Sequence, residues 1–272
     1  ISAYATYRRM VIVVEGVSNL QRDLVDLVKG PPENLIYDSQ GQYSKASLGF
    51  SKKNNVDLSE CEINEFNGKK HLSFSKFQKG KVAEFVLAEI VPEIIMSLPL
   101  SIAMRWASQT SQFIRPIHWI VSLFNNQVVE FEVFDISSDS YSYGHRFLSG
   151  GENSLGKRFQ VNLNTPVLDQ YKSLNVVLDQ CERKGMILQE LENFAQKDID
   201  ESLLDEIVYL LEMPTVLKGS FDNKYLDIPD FVLIECMKKH QRYFPVYLKG
   251  KLQPSFLVCA DNVTDLNKEK II

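Results

Sequence analysis

Four short segments set arginine or histidine beside aromatic rings: Met104-Arg105-Trp106, Phe113-Ile114-Arg115-Pro116-Ile117-His118-Trp119, Gly144-His145-Arg146-Phe147 and His240-Gln241-Arg242-Tyr243-Phe244. Three of the four histidines and both tryptophans fall in these segments, so the chemically capable residues are concentrated rather than scattered. Guanidinium forks match the geometry of phosphate, and an aromatic ring offers a face to an unstacked base. Such a set suits RNA. The same composition also suits arginines buried against tryptophan as organisers of a core, and spacing alone leaves both readings open.

Other chemistries find little support. No glycine-rich loop leads into a lysine and Ser/Thr, which argues against a P-loop ATPase. No glycine–serine–glycine elbow is present, and no histidine pair has metal-ligand spacing on a helix. The His-Asp dipeptide of metal-dependent phosphohydrolases is missing. Carboxylates are plentiful but fall mostly where a solvated face would put them. Cys61, Cys181, Cys236 and Cys259 stand far apart, without the paired spacing of a zinc site or the density of a disulfide framework. They read as free thiols of a reducing, cytoplasmic setting. No catalytic residue and no metal site is expected.

The elements that must position these clusters are an alternation of strands and helices. Met10 to Val14 is a β-branched run suited to a buried strand. Lys29-Gly30-Pro31-Pro32 predicts a turn, because the prolines remove two donors. Ser44 is placed to cap a helix through about Ser51. Asn67-Gly68 predicts a hairpin between Cys61–Phe66 and His71–Phe77, since both turn residues need positive φ. Helical spacing of Val82, Phe85, Val86, Ile90 and Ile94 predicts a helix ending before Pro99. A second hairpin is expected between Ile117–Phe124 and Val128–Phe134, with Val129, Phe131 and Val133 alternating against Glu130 and Glu132, and a third strand leads into Tyr143. Thr165-Pro166 should start a helix. Val176-Val177-Leu178 reads as a strand, followed by helices over Glu182–Ala195 and Leu203–Leu211. A strand over Pro214–Phe221, a helix over Pro229–Lys239 and a hairpin around Lys249-Gly250-Lys251 complete the pattern. Without a regular βαβ repeat, this predicts an α+β fold with mainly antiparallel sheets and packed helices.

Length and charge add limits. The chain has 272 residues and a mass of 31.2 kDa, which suits two domains or one large one. With 44% hydrophobic and 24% charged residues it is neither a disordered tail nor a collagen-like rod. Its most apolar stretch, Val82 to Leu100, is broken by Glu84, Glu89, Pro92 and Glu93, so no membrane association is expected. The net charge of −5 belongs wholly to residues 161–272, which hold 13 Lys and Arg against 18 Asp and Glu. Residues 1–160 hold 17 of each. Any RNA contact must therefore come from a local patch. Two parts are expected, 1–150 with the arginine–aromatic clusters and an acidic 151–272, with the Gly/Asn-rich stretch Gly150 to Gly156 as a joint. The start at Ile1, with no signal peptide, and the stop at Ile272 after an apolar run suggest a segment of a longer chain.

At these clusters the sequence resembles the β subunit of the bacterial heterotetrameric glycyl-tRNA synthetase, across essentially its whole length. The family's threonine-proline-arginine-arginine segment and following strand match Thr6-Tyr7-Arg8-Arg9-Met10 and Val11 to Val14. Its lysine-glycine-proline turn matches Lys29 to Pro32, and its alanine-x-glycine-phenylalanine helix loosely matches Ser47-Leu48-Gly49-Phe50. Met104 to Trp106, Arg115 to Trp119, Gly144 to Phe147 and His240 to Phe244 follow in the family's order. Three departures stand out. Tyr7 replaces a usual proline, Tyr143 a frequent arginine, and Met213 a common aromatic before Pro214.

The resemblance implies a part of glycine–tRNA ligase, the enzyme that charges tRNA-Gly with glycine. It implies an α subunit partner that holds the class II active site and uses ATP, in an assembly of two α and two β chains. No cofactor is expected in this chain. The fold implied is similar to the editing-type module of the phenylalanyl-tRNA synthetase β subunit. The expected role is non-catalytic, contacting tRNA and scaffolding the enzyme, with Arg8, Arg9, Arg105, Arg115, His118, Trp119, His145, Arg146, His240 and Arg242 as the candidate surface. Two alternatives accompany it: a module that only docks the α subunit, and a hydrolase that edits mischarged tRNA around His118, His145 or His240. Editing is less needed for glycine, since a small pocket excludes larger amino acids sterically.

Overall fold

A computed structural model of the chain describes residues 1–107, 110–151, 154–194 and 199–264. The described residues form an α+β structure of several two- and three-stranded sheets with helices packed among them. One strand pairing among them is parallel, joining Ile120–Val121 to Ile136–Asp139; the other described pairings are antiparallel. No helix among the described residues is long and apolar enough to cross a membrane.

The chain divides into two compact units. One comprises Ile1–Gly16 with Val91–Ile272, and the other is the intervening Val17–Ile90. The stretch expected as a joint, Gly150 to Gly156, falls within the first unit, and its residues 152–153 lie outside the described ones.

In the intervening unit, Leu24–Pro32, Lys69–Gln78 and Glu62–Phe66 form one antiparallel sheet with the Lys69–Gln78 strand in the centre. Asn67 and Gly68 take φ of 51° and 76° and turn the hairpin as expected. Lys29 to Pro32 corrects an expectation. These residues end the Leu24–Pro32 strand, with a register shift between Lys29 and Pro32, instead of making a turn. The strand lies at the sheet edge, where prolines cost no ladder hydrogen bond. Ser44 caps the Lys45–Asn54 helix by accepting from the Ser47 N–H, and Asn55 closes it with φ of 52°. The Ala83–Met96 helix ends before Pro99. Ile36, Leu58 and Leu72 make the local core.

In the other unit, Ser2–Ala5 and Met10–Val13 pair as a hairpin. The expected Ile117–Phe124 strand is two short pieces, Ile120–Val121 and Leu123–Phe124, and only the second turns through Asn125-Asn126 into Gln127–Val128. Val129 and Val133 are buried while Glu130 and Glu132 are exposed, as the alternation requires. Pro166 itself is the N-cap of Val167–Lys172, one residue later than expected, without a side-chain cap.

Val176 to Leu178 is not a strand but a buried loop, and its backbone is satisfied elsewhere. The Gln180–Asn193 helix is capped by Asp179; the expected end at Ala195 lies outside the described residues. Glu201–Val208 is a shorter helix. Thr215–Ser220, Lys251–Ala260 and Phe244–Leu248 form the last sheet, turned through Lys249 and Gly250 at φ of 51° and 77°. The helix expected over Pro229–Lys239 is Asp230–Glu235, continued by a wider π-turn over Cys236–Gln241. Its main core joins Ile187, Leu191, Leu203, Leu204, Ile207, Phe244 and Leu257.

Candidate functional site

The Ser2–Ala5/Met10–Val13 hairpin holds Thr6 to Arg9 in its turn, where the Thr6 N–H donates to the Arg9 carbonyl at 3.0 Å. That turn directs Arg9 inward onto Glu212, a fully buried carboxylate. Arg9 Nε donates to Glu212 Oε1 at 2.6 Å and Nη2 to Oε2 at 3.0 Å, a fork-on-fork pair. Its remaining bonds go to the carbonyls of Tyr143 at 2.7 Å and Gly144 at 3.0 Å. The guanidinium also lies over the rings of Trp119 and Tyr171, 5.5 and 5.6 Å from their centroids. Thr6 Oγ1 donates to Glu212 Oε1 at 2.9 Å. A buried charge pair overcomes its desolvation only when its other hydrogen-bonding positions are well filled, and four of the five Arg9 N–H groups have acceptors here.

Arg8 follows the same acid more loosely, with Nη1 3.6 Å from Glu212 Oε2 and Nη2 donating to the Leu155 carbonyl at 3.1 Å. Nη1 is buried without a hydrogen-bond partner. Burial lowers the pKa of Arg8, with the Arg9 and Arg146 charges adding to the effect and Glu212 opposing it. Arg8 also lies 5.8 Å from the Trp119 centroid.

His145, fully buried, occupies the next layer. Its Nδ1 accepts from the Phe147 and Leu148 N–H groups, each at 3.1 Å, and so caps the turn after it. An accepting nitrogen carries no proton, so the ring proton resides on Nε2. Nε2 lies 3.1 Å from Asp261 Oδ2 but is poorly aligned for a hydrogen bond. Asp261 Oδ1 in turn accepts from the Glu212 and Met213 N–H groups. The pKa of Tyr7 is pushed up to about 12, by burial first and then by the Asp261 and Glu212 charges.

Arg183, also fully buried, closes the cluster from the Gln180–Asn193 helix. It donates to the carbonyls of Val177 at 2.6 Å, Leu178 at 2.9 Å and Val208 at 3.0 Å, and to that of Ala5. Its guanidinium thus does for the Val176–Leu178 loop what a neighbouring strand would otherwise do.

Of the ten candidate residues, the structure gathers Arg8, Arg9, Trp119, His145 and Arg146 around this cluster. Arg9 and His145 are committed to the interior, whereas Arg105 and Arg115, whose composition also suited a core, are not buried. Arg146 is exposed, donates to the Ser154 carbonyl at 2.8 Å and lies 5.8 Å from the Phe147 ring centroid. Arg105, Arg115 and His118 are exposed, and Trp119 is half-buried with its ring edge-on to Tyr143 at 5.1 Å. His240 is exposed in the π-turn, while Arg242, at φ of 56°, pairs with Glu206 at 2.6 Å. The described contacts of Arg242 tie it to that helix and not to the Arg9 cluster.

Glu212, Arg183, Asp261 and Thr6 were not foreseen. Two signals could have found them. Arg183 shares the buried face of its helix with Ile187 and Leu191, at i+4 and i+8. Glu212 interrupts the apolar run Leu210-Leu211-Glu212-Met213-Pro214. Among the described residues no group of three or more His, Cys, Asp or Glu side chains could hold a metal ion.

Fold and geometry together define an α+β region organised around a buried arginine–carboxylate cluster, with further arginines and a histidine left on its surface. The family model described as glycyl-tRNA synthetase beta subunit matches residues 1–272. The chain belongs to that family. It is 38% identical over 262 residues to the glycine–tRNA ligase beta subunit of Clostridioides difficile (strain 630), covering 94% of this chain and 37% of that one. It is 39% identical over 269 residues to that of Syntrophomonas wolfei, covering 96% and 38%, and 36% identical over 263 residues to that of Bacillus subtilis (strain 168), covering 94% and 38%. The chain therefore spans less than two-fifths of the length of these relatives.

Proposed function

We propose that this chain is the N-terminal region of a glycine–tRNA ligase β subunit, and that it is a non-catalytic part that contacts tRNA-Gly and scaffolds the enzyme. Family membership over all 272 residues carries this reading. In it the α subunit, with ATP, activates glycine, two α and two β chains assemble in the cytoplasm, and this region helps to hold the tRNA. Its α+β architecture is read as an editing-type module, like that of the phenylalanyl-tRNA synthetase β subunit, without the hydrolytic role.

The RNA contact falls to the side chains that remain on the surface. Arg105, Arg115, His118 and Arg146 are exposed, and arginine forks pair with phosphate oxygens two at a time. Arg9 and His145 support the last of these, because Arg9 fixes the Tyr143 and Gly144 carbonyls and His145 caps the turn that carries Arg146.

The test is tRNA-Gly binding by the full-length chain across a salt series. Arg115→Ala and Arg146→Ala should each weaken binding and reduce the salt slope by about one counterion, with the thermal midpoint held. Unchanged affinity at low salt in both variants defeats the tRNA contact. Docking of the α subunit is favoured by one observation, the exposed apolar side chains of Val25, Phe77 and Phe85, each more than 60% accessible. Copurification with α and no shift of tRNA-Gly would select that second reading.

A further inference from the structure

A cavity of about 250 Å³ opens beside the paired Met104–Arg105 and Gln112–Phe113 strands, and three aromatic residues stand among the nine described residues that line it. Trp106, Phe113 and Phe134 line it, with Arg115 and Asp135 also on its lining. The walls are fixed in place. Trp106 Nε1 donates to the Phe113 carbonyl at 3.0 Å, and the Phe113 and Phe134 rings pack with centroids 5.6 Å apart.

The backbone around it is strained. Phe134 and Asp135 form the two-residue turn between the paired Val133 and Ile136, with φ of 55° and 61°. Such turns ordinarily carry Asn or Gly, because a side chain at positive φ crowds the following carbonyl. Ala107, directly after Trp106, also sits at positive φ, 50°. Three non-glycine residues in the left-handed region therefore line one small cavity. A phenylalanine held there by its turn, where asparagine would be easier, serves the wall rather than the turn.

We infer that this cavity receives one unstacked base of a single-stranded RNA segment, with Arg115 on an adjoining phosphate. This rests on the RNA-contacting reading above and narrows it to one pocket. The volume is below the ~300–1,000 Å³ of sites for drug-sized ligands, so a single ring system is the fit. Aromatic walls favour a π-face without demanding a particular base. Arg115 is exposed and offers the fork that phosphate geometry requires. The ring enters and the backbone stays at the rim.

The experiment uses the full-length chain, a 12-nucleotide single-stranded RNA carrying 4-thiouridine, and the same oligonucleotide with abasic positions. Irradiation should give adducts on the peptides that hold Trp106, Phe113 and Phe134. Abasic substitution should weaken binding by about tenfold, the effect of losing one base–aromatic stack. Phe134→Asn should lose the adduct and a similar factor in affinity while its thermal midpoint holds, because asparagine tolerates positive φ. Adducts confined to other segments, equal binding of the abasic strand, or an unaffected Phe134→Asn protein would overturn the inference. The abasic comparison changes no protein residue, so a misfolded variant does not rescue it. If tRNA-Gly still binds with the Arg115 and Arg146 salt dependence, only the pocket falls. If neither RNA binds, the RNA-contacting reading falls as well.

Discussion

Arg9 and Glu212 stand 203 residues apart in the chain and meet as a two-point ion pair, with Nε 2.6 Å from Oε1 and Nη2 3.0 Å from Oε2. Both side chains are almost wholly shielded from water. Glu212→Ala leaves two arginines facing a buried gap, and it should cost about 3–5 kcal/mol of stability. Replacing both partners by apolar residues, as in Arg9→Met with Glu212→Leu, should cost far less than the two single changes combined. Urea unfolding followed by tryptophan emission is a direct readout, since Trp119 lies against Arg9. Additive losses in the double variant would mean that the pair is not the organising element.

Arg183 makes a second case within the same cluster. Shortening it to Met strands the carbonyls of Val177, Leu178 and Val208 in the interior. Each unsatisfied buried group costs about 1–3 kcal/mol, so Arg183→Met should lose at least as much stability as Glu212→Ala. Lysine should restore little, because one ammonium does not span carbonyls that a planar fork reaches together. A Lys variant as stable as the parent would contradict this.

His145 separates a capping role from a surface role. Asn places its oxygen where imidazole Nδ1 accepts from the Phe147 and Leu148 N–H groups. His145→Asn should therefore keep most of the stability, and His145→Ala should lose about 1–2 kcal/mol, as other lost caps do. Hydrogen exchange at Phe147 and Leu148 reports the turn itself. Faster exchange in both variants alike would argue against the cap.

Tyr7 sets an alkaline limit. Its pKa in the folded chain is about 12, above the ordinary 10, so the folded state holds the phenol proton more tightly than the unfolded state. That contribution is complete below pH 10 and is lost as the pH climbs from 10 to 12. Cys259, which burial pushes to about 12, adds a decline that begins near pH 9. Tyr7→Phe should flatten the upper part of the curve and leave the onset near pH 9 in place. Urea midpoints measured from pH 8 upward decide it, and an unaltered slope above pH 10 would exclude Tyr7.

What the sequence discloses is what the chain decides locally. Asn67-Gly68 and Asn125-Asn126 turn where their φ preferences put them, as Gly250 does beside Lys249, and Ser44 caps its helix. The Phe134-Asp135 turn carries a weaker signal, because aspartate tolerates positive φ but phenylalanine does not favour it. Val176 to Leu178 has the composition of a strand, yet its carbonyls bind the Arg183 side chain instead of a ladder. The arginine clusters were legible as chemistry but not by depth. Arg8 and Arg9 are adjacent in sequence, and only the fold decides that Arg9 alone takes both oxygens of Glu212.

The partners of the first hairpin also impose an order on synthesis. Thr6 and Arg9 leave the ribosome about two hundred residues ahead of the acid they share. At ~5–20 residues per second, the growing chain carries an unneutralised arginine turn for roughly 10–40 s. The Val17–Ile90 unit lies wholly within that interval and has its own sheet and core. It can fold during translation while the strand that precedes it waits. A translational pause before the Glu212 codon would lengthen the exposure of the hairpin, and one after it would not.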